Sequence, residues 1–150
     1  MKMDPINTNL LSWLLIIPLA LSIETTLATT TFQVKNPSLS AVEFLVTEAR
    51  IYYETEQYEQ SAALLERALR IAPRNPILWY NLALMHFKQQ DWKEATDIAR
   101  KSILLAGSDQ KYKKLLLGNW VLITQACENI DDHQCARDAR NQTQALLRNW

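Results

Sequence analysis

Few side chains in this sequence could do chemistry. Histidine occurs twice, as His86 and His133, and cysteine twice, as Cys127 and Cys135. His133 directly follows Asp131 and Asp132, an imidazole and two carboxylates that a metal could use. Three residues in one turn seldom converge on a tetrahedral site, however, and acids just before a helix are the usual N-caps. His86 falls on an apolar helical face, where an imidazole is packed rather than ligating. HExxH, CxxC, GxSxG and P-loop patterns are all absent, and no nucleophile stands beside a base. Asn141, Gln142 and Thr143 match a glycosylation acceptor but lie inside a predicted helix. The expectation is a protein that is not an enzyme and holds no metal and no cofactor.

The elements that carry these residues are helices. The chain has 150 residues, 48% of them hydrophobic, and only two glycines. That is enough for one modest domain, and it leaves too little glycine for phosphate loops or turn-rich β-sheet folds. Sixteen basic and sixteen acidic residues cancel, so neither nucleic acid nor an anionic membrane surface is the expected partner. A protein partner fits better. Near the start, residues 10–23 are apolar and uncharged but interrupted by Pro18. The run is shorter than the roughly 20 residues that span a bilayer. With Lys2 before it and the small residue Ala28 after it, residues 1–28 read as a secretory signal peptide, cleaved after Ala28 or retained as an inner-membrane anchor. No cysteine near the run offers a lipid attachment site. Residues 29–39 read as a tether, and residues 40–150 as the folded domain.

Export would place Cys127 and Cys135 in an oxidising compartment, where two cysteines at short spacing pair. They stand nearly equidistant from a predicted turn, so facing positions of a hairpin could come within the roughly 7 Å Cα limit of a disulfide. Closing so short a loop would contribute about 2.5 kcal/mol.

Aligned against itself, the sequence repeats with a 34-residue period in the frames 42–75, 76–109 and 117–150. Position 8 of each frame holds Ala49, Ala83 and Thr124, and position 20 holds Ser61, Ala95 and Ala136. Small residues there let two helices approach closely, while bulky ones at positions 4, 7, 11 and 24 fill the space between hairpins. Boundary signals agree with the period. Ser40 and Glu43 form a capping box with Leu39 stapled onto Phe44, Asn75 precedes Pro76 at a helix start, and Pro73 stops the helix before it. Asp91 with Glu94, Asp109, and Asp131 or Asp132 mark later starts. The seven extra residues 110–116 extend the fifth helix, and Arg140 and Thr143 give the last one a polar outer face that caps the stack.

This pattern resembles the tetratricopeptide repeat family. The resemblance implies an all-α fold of three tandem helix-turn-helix repeats, six helices in a right-handed superhelical stack, preceded by the N-terminal apolar signal helix. It also implies a concave face lined by the first helix of each repeat, where Arg50, Tyr53, Tyr80, Leu84, Phe87 and Gln125 form the partner-binding groove. Tyr80, Leu84 and Phe87 recur at helical spacing as an apolar stripe opposite a second apolar face, Leu78, Trp79, Leu82 and Met85. Such a helix is either buried on both faces, with Phe32 and Val34 of the tether as one possible cover, or binds something. The clamp by which chaperone-binding members hold a terminal carboxylate finds only Asn81 here, with Val46, Arg50, Gly118 and Leu122 at its other places.

Residues 65–123 are similar, more narrowly, to a group of gammaproteobacterial envelope proteins. The points of similarity are Lys101 and Ser102; Leu105, Ala106 and Gly107; and Asn119 and Trp120 with Leu122 and Ile123. That group includes an outer-membrane lipoprotein that activates a class A penicillin-binding protein. The resemblance implies a periplasmic protein partner, such a synthase in its most specific form. Two other readings use the same groove: an assembly or maturation factor binding client peptides, and a structural subunit of an envelope complex.

Overall fold

The computed structural model describes residues 37–148. The signal segment, the tether up to residue 36 and its Phe32 and Val34 lie outside the described residues. Six α-helices follow in order: α1 (Pro37–Glu54), α2 (Tyr58–Ile71), α3 (Pro76–Lys88), α4 (Trp92–Ala106), α5 (Lys113–Asn129) and α6 (His133–Arg148). A short 3-10 turn, Gln110–Tyr112, precedes α5. It takes up the first part of the extra segment, so only the remainder extends the fifth helix. The helices pair as three hairpins, α1 with α2, α3 with α4 and α5 with α6, and each hairpin packs on the next.

Small residues make the pairing possible. Ala49, Ser61, Ala83, Ala95 and Ala136 are all buried, which lets backbones approach within each hairpin. Ser61 adds a bond across the first hairpin, its hydroxyl donating to the Ala49 carbonyl at 2.8 Å. Around them Leu45, Leu65, Leu78, Leu82, Met85, Leu122 and Ile123 form one core. In the loop between α2 and α3, the Trp79 indole N–H donates to the Pro73 carbonyl at 2.8 Å. α2 ends at Ile71, two residues ahead of that proline, as the backbone restriction before proline requires.

The three turns within hairpins share one geometry. Glu56, Gln90 and Asp131, at position 15 of their frames, have φ of 59°, 66° and 57°. Behind each, the next N–H reaches back to the helix just ended: Gln57 to the Tyr52 carbonyl, Asp91 to His86 and Asp132 to Cys127. These are the bonds of a Schellman ending, made here without glycine. A left-handed residue other than glycine costs roughly 1–2 kcal/mol, which the satisfied carbonyls help offset.

The helix starts confirm some expected caps and revise others. The Asn75 side chain accepts from the Ile77 N–H at 3.0 Å, with Pro76 at the first helical position. Asp132, not Asp131, caps α6 by accepting from the Cys135 N–H at 3.0 Å. Asp91 makes no side-chain cap bond; its carboxylate turns toward His86 instead. Ser40 and Glu43 do not open α1, because the helix already begins at Pro37, a residue whose fixed φ suits a first turn. Residues 37–39 are therefore helix rather than tether, and Phe44 is exposed.

The two joints between hairpins are built differently. At the first, positions 27 and 3 are Ala68 and Leu78, both buried. At the second they are Ser102 and Asn119, fully buried and bonded. The Asn119 amide donates to the Ser102 hydroxyl at 3.0 Å and to the Leu115 carbonyl at 2.9 Å, and Ser102 donates to the Pro76 carbonyl at 2.8 Å. Removing one partner of a buried polar pair is more damaging than replacing both by apolar groups. Ser102→Ala is therefore expected to destabilise the domain by about 1–3 kcal/mol in urea denaturation. The double change Ser102→Ala with Asn119→Leu, which copies the first joint, is expected to regain most of that loss.

Candidate binding groove

α1, α3 and α5, the first helices of the hairpins, together line two adjoining hollows. The first, about 230 Å³, is walled by Val46, Arg50 and Tyr53 of α1, by Ser61 and Leu65 of α2, and by Asn81, Leu84 and Met85 of α3. The second, about 330 Å³, lies between Tyr80, Leu84 and Phe87 of α3 and Lys114, Leu117, Gly118, Val121 and Gln125 of α5. Leu84 borders both. All six residues expected at the groove therefore line one hollow or the other: Arg50 and Tyr53 the first, Tyr80, Phe87 and Gln125 the second, Leu84 both. Ile77 and Val121, exposed apolar side chains, also belong to the first-helix faces that border this region.

Each side chain is held by its helix in a particular way. Tyr80 lies against Gly118, where a Cβ would come within 3.1 Å of its hydroxyl oxygen and 3.2 Å of its ring. Glycine at this point of α5 is what lets the ring settle onto the neighbouring helix. Phe87 is half-buried and meets Trp92 edge to face, with ring centroids 4.9 Å apart. Tyr53 tilts against Tyr58 at 6.0 Å. Arg50 is exposed, its guanidinium 3.9 Å from the Glu54 carboxylate one turn on. The hollows thus combine aromatic and aliphatic walls with one exposed cation at each, Arg50 and Lys114, a surface suited to apolar anchors with a polar rim.

Besides Ser61, Leu65 and Met85 at the first hollow, Lys114 and Leu117 at the second are not foreseen from the sequence. Their signal is the stripe through Val121 and Gln125 continued backwards by one to two turns at steps of three and four, into the segment outside the repeat frame. Glu128, at an inner-face position, is drawn away instead and forms an ion pair with Arg140 of α6.

Burial raises the pKa of the Tyr80 phenol, and the nearby Tyr53 phenol adds to the rise. His86 is largely covered, with 20% of its side chain exposed, and its Nδ1 lies 3.5 Å from the Asp91 carboxylate. That nitrogen makes no hydrogen bond that meets ordinary geometry. His133 opens α6 at the surface. Among the described residues, no three His, Cys, Asp or Glu side chains come together as a metal site. None of the described helices is long and apolar enough to cross a membrane. Cys127 and Cys135 are joined as a disulfide across the third hairpin, with Cα atoms 5.8 Å apart. Arg100 of α4 reaches the Cys135 sulfur at 3.6 Å.

Comparison with known proteins gives a consistent result. The family description "Tetratricopeptide repeat" matches residues 46–109, from within the first hairpin to the end of the second. No curated protein sequence matches the chain. Among solved structures, the globular C-terminal domain of P. aeruginosa LpoP is 35% identical; the alignment covers 69% of this chain and 95% of that one, with a TM-score of 0.63. The Sgt2 TPR domain from Aspergillus fumigatus is 23% identical over 72% of this chain and 67% of that one, with a TM-score of 0.61, a likeness of fold.

The tyrosine and the disulfide each give an expected outcome. The raised Tyr80 pKa favours the neutral phenol in the folded state, so its contribution is complete below the unfolded tyrosine value of about 10 and is lost as pH rises through the folded value. Stability in urea is expected to fall across that alkaline window, and less steeply in Tyr80→Phe. Reducing the disulfide is expected to lower stability by about 2–3 kcal/mol. Amide exchange should quicken first in α6, which buries only Ala136 and Ala139.

Proposed function

The chain belongs to the tetratricopeptide repeat family, and from that premise we propose that it is a non-catalytic protein-binding module of the bacterial envelope whose concave groove docks a partner protein. In its most specific form the partner is a class A penicillin-binding protein, and docking favours the active state of that synthase. The observation that carries the reading is the pair of hollows meeting at Leu84, apolar in wall and rimmed by Arg50, Lys114 and Gln125. The second apolar face of α3, formed by Leu78, Leu82 and Met85, is already buried in the core. Tyr80, Leu84 and Phe87 are not needed there in full and are left half-exposed at the groove.

The finer part is supported by the sequence phrases shared with gammaproteobacterial envelope proteins and by the 35% identity to the LpoP domain. Ser102 and Asn119, two of those phrases' residues, are the ones that join the second and third hairpins. On this reading, residues 1–28 direct export or anchor the chain, and the folded domain works in the periplasm. A shift of the synthase toward its active state would be a coupling of about 1–3 kcal/mol.

The test is photo-crosslinking in cells from position 80, followed by identification of what is captured. One dominant partner that is a cell-wall synthase supports the proposal in full. A different single partner keeps the module and removes the synthase, and a smear of unrelated envelope proteins indicates a client-binding helper. In purified components, Tyr80→Ala with Leu84→Ala is expected to weaken binding by roughly tenfold or more while helicity is kept, since truncating central apolar anchors typically costs 2 kcal/mol or more. Phe87 is a poorer probe, because it also holds Trp92.

A further inference from the structure

The two ends of the stack differ from its interior joints in opposite senses. At the second joint the Ser102–Asn119 bond sets position 27 of α4 opposite position 3 of α5. The two helices are joined by a short connection and run antiparallel, so one turn along, position 24 comes opposite position 7. Those residues are Ala99 and Ile123, and their equivalents at the first joint are Leu65 and Leu82, all buried.

At the open ends the same register is charged. α1 has no described hairpin before it, and its Phe44 and Ile51, at positions 3 and 10, are 62% and 55% exposed. Between them, position 7 is Glu48, which has no ion-pair or hydrogen-bond partner among the described residues. α6 has no described hairpin after it, and its position 24 is Arg140, with Thr143 at position 27 and Leu147, 50% exposed, one turn beyond. An anion without a described partner stands at one end and, at the other, a cation whose partner within the copy is Glu128, at the two positions that the interior register brings face to face.

We propose that copies of this chain associate head to tail, the α1 edge of one seated on α6 of the next. Glu48 then meets the Arg140 of the neighbouring copy, and Phe44 lies against its Thr143 and Leu147. A two-fold contact of α1 on α1 is disfavoured, since it would bring two Glu48 carboxylates together between the apolar pairs. The contact is heterologous, and its polar composition makes it reversible and sensitive to salt. It rests on the ends of the stack and is independent of what the groove binds.

Sedimentation velocity on the full chain tests it. The average mass is expected to rise with protein concentration and to fall back as salt is added. Glu48→Arg and Arg140→Glu should each weaken association by roughly tenfold or more, and an equal mixture of the two variants should regain it, because a head-to-tail contact loses its opposite pair in either variant alone and recovers it between the two. Arg140 also holds Glu128, so circular dichroism checks the fold, and the neutral Glu48→Gln should weaken association even where Arg140→Glu does not fold. A monomer at every concentration would overturn the proposal and leave the α1 edge to residues 1–36 or to another protein. Association unmoved by both charge reversals would overturn it equally, by placing the contact elsewhere.

Discussion

The structure depends on how close two helices can come, and that distance is set wherever the chain puts alanine or serine between them. Ala83, Ala95, Ala99 and Ser61 leave no room for anything but backbone-to-backbone approach, and the large side chains are pushed to the outer sides of each contact. Once the backbones are that near, Ser61 and Ser102 can bond carbonyls of other helices, and Asn119 can bond Ser102. These bonds fix the helices along their axes, which apolar contact alone does weakly. A polar joint is accordingly a register device: the Asn119 amide N–H and the Ser102 hydroxyl find their acceptors at one alignment and would lose them at another, even though the Asn119 Oδ1 stays unpaired.

The groove inherits that alignment. Tyr80 finds Gly118 opposite it only because α5 stands at one height against α3, and that height is held by Asn119, the residue next to the glycine. The same adjacency brings Lys114 and Leu117 to the hollow beside Phe87. At the other end of α5, the disulfide and the Glu128–Arg140 pair hold α6, a helix with little apolar surface to hold itself. The third hairpin is thus fastened by polar and covalent means, whereas the first two are fastened mainly by leucine and alanine.

Much of this architecture is legible in the sequence because its determinants are local or periodic. Six helices follow from apolar spacing, their ends from Asn75 and Pro76, Pro73 and Asp132, and the hairpin pairing from small residues recurring at one interval. The candidate groove follows from the same interval, since a first helix repeated three times must present one face repeatedly to the same side. Where the sequence reading went astray, a residue had two local roles and a neighbour chose between them. Asp91 has the place of a cap, yet its carboxylate turns to His86; Ser40 has the look of a cap, yet Pro37 starts the helix earlier.

What the sequence determined by itself, then, is the number of helices, their pairing and which faces are apolar, because each depends on residues within a turn or two of one another or on a residue type recurring at a fixed period. Tertiary structure alone decided which side chains share those faces. The left-handed Glu56, Gln90 and Asp131 carry no glycine signature, and only the return of each chain onto its own helix holds them there. The bond between Ser102 and Asn119, the seat of Tyr80 on Gly118 and the diversion of Glu128 to Arg140 join residues twelve or more positions apart. Periodicity specifies that a face exists; the height at which two faces meet is a property of the assembled stack, and the chemistry of the groove is set by that height.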